Sequence, residues 1–324
     1  MTWPLTRWLP LAAALLSVAS CGGSAGVDAP EAASGVAGAP APGCRADGAC
    51  RIVALPAPAS AQNACFSPDG RRLVFTRWHR GYNQAPASLW TVPVTGGTPA
   101  RVIDDGASNV NLPGACWSRA GRIAYASDAV GDSDEIWTIA ADGSRPQRLT
   151  HHSGAPYIEP SFSPDGSQLV FEASVSETAA ELWKVQANGG GLTRITRGFA
   201  DREPNWSPAG DRIVFQRLGD DWALYTMKPD GSEVQRVTPP GWSCTDASYS
   251  PDGKQLVFSA TPPGEEGAQI AVVAASGGTP RLVTRSSGYN GAPSWSPDGR
   301  RIAFEASDDP DATRPTALWI IDAP

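Results

Sequence analysis

Short apolar triplets recur along the chain: Leu73-Val74-Phe75, Ile123-Ala124-Tyr125, Leu169-Val170-Phe171, Ile213-Val214-Phe215, Leu256-Val257-Phe258 and Ile302-Ala303-Phe304. Runs this short, rich in β-branched and aromatic residues and bounded by turn residues, predict β-strands. A turn motif precedes each one: Phe66-Ser67-Pro68-Asp69-Gly70, Trp117-Ser118-Arg119-Ala120-Gly121, Phe162-Ser163-Pro164-Asp165-Gly166, Trp206-Ser207-Pro208-Ala209-Gly210, Tyr249-Ser250-Pro251-Asp252-Gly253 and Trp295-Ser296-Pro297-Asp298-Gly299. Proline presets φ for the turn, aspartate caps it locally, and glycine takes the left-handed conformation. Each motif therefore joins two strands in a hairpin. The motif serines lie 51, 45, 44, 43 and 46 residues apart.

A third strand is marked by Leu89-Trp90, Ile136-Trp137, Leu182-Trp183, Leu224-Tyr225, Ile270-Ala271 and Leu318-Trp319. Two-residue hairpin signals follow at Gly96-Gly97, Asp142-Gly143, Asn188-Gly189, Asp230-Gly231 and Gly277-Gly278. A fourth strand closes each unit at Arg101-Val-Ile103, Arg148-Leu-Thr150, Arg194-Ile-Thr196, Arg236-Val-Thr238 and Arg281-Leu-Val283. Four antiparallel strands at a period near 45 residues describe a propeller blade, and six repeats predict an all-β, six-bladed propeller. The sixth repeat ends after its third strand. Arg51-Ile52-Val53-Ala54-Leu55, ahead of the first repeat, has the fourth-strand pattern. This N-terminal strand is expected to complete the last blade and hide two sheet edges. Trp90, Trp137, Trp183 and Trp319 occupy one equivalent position and read as packing between blades.

The six Ser-Pro-Asp-Gly-type repeats and the Asp-Gly-Ser…Arg-Leu-Thr ends resemble the carboxy-terminal propeller of the TolB family over residues 50–324. The resemblance implies an envelope propeller that binds other proteins through its faces. TolB proteins carry a separate amino-terminal α/β domain and are soluble in the periplasm. Residues 22–49 are too short and too polar to supply such a domain, so a direct share in the Tol–Pal system does not follow.

Residues 1–20 read as a signal peptide: Arg7 precedes an apolar stretch, Trp8 to Val18, too short to span a bilayer. Val18-Ala19-Ser20-Cys21 is similar to the bacterial lipobox, in which the cysteine is lipidated and becomes the first mature residue. That likeness implies three acyl chains, enough for stable attachment. Gly22 after the cysteine resembles outer-membrane sorting, on the periplasmic face. Residues 21–49 are expected to form a flexible tether, being mostly Gly, Ala, Pro and Ser up to Gly43.

The formal net charge is −7, and −8 once residues 1–20 are removed. An acidic chain without a basic block argues against nucleic acid and against an anionic membrane surface as partners. The membrane contact expected is the lipid, and the partners expected are envelope proteins.

Candidate chemistry is sparse. Gly22-Gly23-Ser24-Ala25-Gly26 matches G-x-S-x-G but lies in the tether, without the strand-turn-helix context of a nucleophile elbow. Related propellers occur in prolyl-oligopeptidase-type peptidases, which need an α/β-hydrolase domain; with the chain ending at Pro324, that class is not expected. The only histidines are His79, His151 and His152, too few and too adjacent to expect a metal site. Asp128, Asp132, Asp134 and Glu135 crowd one blade-2 loop and lack the later glutamate of a calcium loop. No cofactor motif and no catalytic residue is identified, and the reading leans towards a non-catalytic role.

Four residues before the motif serine stand Asn63, Gly114, Glu159, Glu203, Asp246 and Ala292. Three consecutive blades thus place a carboxylate on the innermost strand near the central channel, with Asp201 two residues further towards the mouth. Carboxylates this close raise one another's pKa or attract a cation. Asn63, Glu159, Asp201, Glu203 and Asp246 are therefore the candidate channel-mouth binding residues. The alternatives are acids that hydrogen-bond neighbouring backbone, or a channel site for a small solute or sugar fragment, of the binding or lyase kind and with or without a metal. A structural envelope protein with no discrete ligand is a third reading.

With Cys21 lipidated, Cys44, Cys50, Cys65, Cys116 and Cys244 remain, an odd number. Cys44 and Cys50 can close a small loop before the first strand. Cys65 and Cys116 sit at equivalent positions of neighbouring blades, near or beyond the ~7 Å Cα limit for a bridge, and no pairing is assumed for them.

Overall fold

A computed structural model describes residues 43–324 apart from 105–109, 113–115, 132, 152–153, 177 and 312. The signal peptide, Cys21, the Gly22–Gly26 motif, Gly114, Asp132 and His152 lie outside the described residues. Among the described residues, twenty-four strands form six four-stranded antiparallel sheets and no helix is present. Five sheets use four strands consecutive in sequence. The sixth takes three from the chain's end and its fourth, Cys50–Val53, from the start; that strand pairs antiparallel with Ala317–Asp322.

The apolar triplets are the second strands. Leu73, Val74, Phe75, Leu169, Val170, Phe171, Ile213, Val214, Phe215, Leu256, Val257 and Phe258 have no exposed surface. A strand apolar on both faces is stable only between two other layers, so each sheet stacks against its neighbours. The core accordingly sits between blades. One cluster joins Val74 and Leu89 of the first blade to Ile123 and Tyr125 of the second. Another joins Phe66, Leu73 and Phe75 to Val53, Ala303, Leu318 and Ile320 across the ring closure. Burying each large side chain contributes roughly 1.5–3 kcal/mol. The third-strand tryptophans are half-buried against these clusters. Arginines stack on three of them: Arg77 on Trp90, Arg194 on Trp183, and Arg45 and Arg51 on Trp319.

Two polar devices repeat. In the first turn, the motif serine Oγ accepts the backbone N–H that opens the second strand, at 3.0 Å from Arg72, Gln168, Arg212 and Gln255. The same hydroxyl donates to the motif aspartate in Ser67–Asp69, Ser163–Asp165, Ser250–Asp252 and Ser296–Asp298, at 2.6–2.7 Å. Ala209 breaks the motif in blade 4, and Ser207 donates instead to Asp211. After the fourth strand, the hydroxyls of Thr150, Thr196, Thr238 and Thr284 accept the N–H groups of Ile136, Leu182, Leu224 and Ile270. This explains the recurring Arg-x-Thr ending.

The second-turn glycines serve blade stacking. A Cβ on Gly143 would lie 2.5 Å from the Val102 carbonyl oxygen, and one on Gly231 would lie 2.7 Å from that of Ile195. Both glycines also hold positive φ. Gly96 of the first blade faces the Ile52 oxygen in the same way. Ile52 thus stands to Gly96 as Val102 does to Gly143, which marks Cys50–Val53 as the fourth strand of the last blade.

The expected tether ends earlier than residue 49. Cys44 and Cys50 form a disulfide, and Arg45 lies 3.9 Å from the Trp319 ring centroid while donating to Asn290 Oδ1. Residues 43–49 are therefore a closed loop fastened to the last blade.

Deleting residues 50–56 should lower the melting temperature by at least about 5 °C, the shift that 2–3 kcal/mol produces in a domain of this size; an unchanged melt would refute the closure. Ser250→Ala should cost about 1 kcal/mol in urea denaturation, because the Gln255 N–H loses its acceptor.

Candidate functional site

The innermost strands carry an irregularity at one place. Pairing with the second strand slips between Gln62 and Cys65, Ile158 and Ser161, Arg202 and Asn205, Thr245 and Ser248, and Gly291 and Ser294. The first unpaired residue in each slip is Asn63, Glu159, Glu203, Asp246 or Ala292, the column four before the motif serine. All five have φ between +46° and +56°. Each is a β-bulge opened by a left-handed residue. Asparagine and aspartate tolerate that conformation, whereas glutamate and alanine pay roughly 1 kcal/mol or more for it.

A bulge turns its backbone N–H out of the ladder, and that donor needs an acceptor. The preceding blade supplies it. Glu305 Oε2 accepts from Asn63 N–H at 2.9 Å, Glu172 Oε2 from Glu203 N–H at 3.4 Å, Gln216 Oε1 from Asp246 N–H at 3.1 Å, and Ser259 Oγ from Ala292 N–H at 3.1 Å. These acceptors form another column, nine residues after the motif serine, which also holds Thr76. All five are buried. In blade 2, whose first turn is one residue shorter, the equivalent residue is Ala126, eight after Ser118.

The acids meet in this setting. Glu203 Oε2 also accepts the Asp246 N–H at 2.9 Å. Asp246 Oδ2 accepts from Thr245 and Ser259 at 2.8 and 2.6 Å. Burial, then the charges of Asp246, Glu159 and Glu172, hold the Glu203 carboxyl well above the usual range, and it hydrogen-bonds to Asp246. Glu172 donates nothing and accepts from Arg202 at 3.0 Å; burial pushes it up to about 7 against the pull of that guanidinium. Glu305 receives the hydroxyls of Tyr82 and Tyr289 at 3.2 and 3.1 Å, and burial raises it to about 7. The Tyr289 ring lies over Gly291, where a Cβ would fall 1.9 Å from its hydroxyl.

Asn63, Leu112, Glu159, Glu203, Asn205, Asp246, Ala292 and Pro293 line a cavity of about 30 Å³ in the channel. The candidates Asn63, Glu159, Glu203 and Asp246 are thus brought together. Asp201 is not among them. It is fully buried and receives Arg217 Nε and Nη2 at 2.6 and 2.9 Å, an ion pair roofed by Phe199. Two residues along a strand from Glu203 it shares that residue's side of the ladder, but the arginine opposite draws it into the sheet.

Asn205, Glu172, Glu305, Tyr82 and Tyr289 carry no mark in the motif. The plus-nine column, a polar residue ending each apolar triplet, was the available signal for Glu172 and Glu305. The remaining chemistry is structural. His79 Nε2 lies 2.8 Å from Ser88 Oγ, and His151 is exposed. Glu135 is not a loop tip but opens a strand, buried against Arg148 at 2.9 Å. Cys65, Cys116 and Cys244 are buried thiols, the Cys116 N–H donating to Cys65 Sγ. Burial pushes Cys244 up to about 12. Among the described residues, no group of three or more His, Cys, Asp or Glu has the geometry to hold a metal ion. A larger, open groove of about 330 Å³ lies between blades 4 and 5 beside Pro208, Ala209, Arg212 and Tyr249.

A family model described as the TolB beta propeller domain matches residues 51–237. An uncharacterized peptidase of Bacillus subtilis, YuxL, is 26% identical over 211 residues, covering 62% of this chain and 30% of its own length. TolB from Acinetobacter baumannii superposes with a TM-score of 0.60 at 20% identity, covering 82% of this chain and 63% of that one. An oligogalacturonate lyase solved in complex with manganese superposes at 0.55 with 15% identity, covering 87% and 96%. The chain thus spans under a third of the Bacillus relative.

A glutamate whose folded pKa is raised stabilises the fold fully below its unfolded value near 4.5, and that stability is lost as pH rises through about 7. The melting temperature should therefore fall between about pH 4.5 and pH 7 and level off above that. Glu305→Gln, which mimics the protonated acid, should flatten part of that fall, worth up to about 3 kcal/mol; identical pH profiles would refute the assignment.

Proposed function

The chain belongs to the TolB β-propeller family, and from that premise we propose a non-catalytic protein-interaction module of the bacterial envelope, held to the membrane by a lipid on Cys21. The family match over residues 51–237 carries the reading. Physical features support it. A closed ring presents rigid faces, and its outer strands leave only short sheet edges. Loops on such a scaffold are where binding is built, and the loop ends at Tyr82 and Tyr289 crown the channel acids. The partner surface that suits an acidic channel mouth is basic. A sugar-fragment or solute site in the channel is disfavoured by size, since small-molecule pockets run to roughly 300–1,000 Å³ and this cavity holds about 30 Å³.

Crosslinking in native membranes, followed by mass spectrometry, should recover a recurrent envelope protein with the propeller. Recovery should drop by at least about tenfold in Glu203→Gln/Asp246→Asn, the factor of one charge-assisted contact. Cys21→Ser should move the protein from the membrane to the soluble fraction. Repeated recovery of the propeller alone would overturn the reading.

A further inference from the structure

Three carboxyl groups, of Glu159, Glu203 and Asp246, and two asparagine amides share the channel cavity with the apolar Leu112, Ala292 and Pro293. The Asn205 side chain is 4% exposed and lines the cavity. Nδ2 donates to the Ala247 carbonyl at 3.0 Å, which fixes the amide's orientation. Oδ1 is buried and receives no donor from the described protein. Beside it, the Glu203 carboxyl accepts the Asp246 N–H at 2.9 Å, which sets the two side chains together at the cavity. A buried acceptor with no donor costs about 1–3 kcal/mol, so the site is built for something that donates.

Donor count and charge select the occupant. The cavity's about 30 Å³ has room for at least one water-sized group. A water donates two hydrogens and brings no charge. A primary ammonium is of similar bulk, donates three, and is a cation. A guanidinium carries five N–H donors in a fixed planar fork, more than the three acceptors here can answer. Asn205 Oδ1, the Glu203 carboxyl and the Asp246 carboxyl give three acceptors for three N–H groups. An ammonium there also offsets the negative charge crowded around Glu203.

We propose that the channel cavity binds a primary ammonium group, delivered by a lysine side chain or a free amino terminus of the protein that docks on the channel mouth. The inference rests on the interaction reading above and names the chemistry of its partner. Leu112 and Pro293, in the cavity wall, suit the methylenes behind a lysine nitrogen.

The test uses the full chain purified in detergent, with n-butylamine, n-butanol and n-butylguanidine as probes in thermal shift and calorimetry. Butylamine should raise the melting temperature and bind in the millimolar range. Butanol should not bind, and butylguanidine should bind at least about tenfold more weakly. Nα-acetyl-lysine methylamide against alaninamide separates the two sources of the amine. Asp246→Asn and Asn205→Leu should each weaken butylamine by about tenfold. If either variant fails to fold by circular dichroism, Glu203→Gln takes its place. Absence of butylamine binding, or equal binding of butylguanidine, overturns the proposal. So does calcium or manganese binding that excludes the amine and is lost in the same variants. A partner recovered by crosslinking without amine binding removes this inference and leaves the interaction reading. Amine binding with no partner does the reverse.

Discussion

One backbone donor per blade organises the centre of this propeller. Where the innermost strand bulges, the left-handed residue turns an N–H away from its own sheet. Water is scarce there, so the donor must find an acceptor on the blade before it. Glu305, Glu172, Gln216 and Ser259 answer that demand for Asn63, Glu203, Asp246 and Ala292. The apolar layers between blades supply the bulk of the stabilisation but are non-directional. The bulge contacts fix how one blade is turned relative to the next. They also decide which side chains reach the channel.

The same demand explains the unusual acidity of the centre. Glutamate is a sound acceptor for a buried N–H, and here two of the acceptors are glutamates with no exposure to spare. Their burial raises them to about 7. Added to the acids of the bulge column, they crowd one small volume with carboxyl groups, and protons fill in where cations do not. Arg202 relieves Glu172, and Tyr82 with Tyr289 relieves Glu305. Asp246 has the hydroxyls of Thr245 and Ser259, and Glu203 accepts the Asp246 backbone N–H. Strain points to the same spot: Glu159, Glu203 and Ala292 hold a conformation that favours glycine or asparagine.

The ring was legible in the sequence because it repeats. Six copies of a turn motif, each with its apolar triplet, fix strand order, blade number and the displaced closing strand without reference to any long-range contact. The column holding Glu159, Glu203 and Asp246 was legible too, since aligned repeats expose a position by its register. Its meaning was not. A left-handed bulge needs no particular residue, and neither glutamate nor alanine advertises one. Asp201 misled because strand alternation predicts a face and cannot foresee the arginine across the ladder. Tyr82 and Tyr289 lie in loops outside the repeat, and only the folded ring sets one against the other.

The disulfide at the start of the fold has a mechanical consequence. Any pull on the chain from its N-terminal side arrives at Cys44 and passes through the covalent bond to Cys50, the first residue of the closing strand. Residues 45–49 lie off that path. The Arg45 clamp on Trp319 and Asn290 therefore carries no tension while the strand itself is loaded. The tug is delivered to a ladder of hydrogen bonds stapled at its outer end, and the loop beside it stays slack and in place. A propeller drawn from this end is loaded at its staple, and its ring is not unpicked from there.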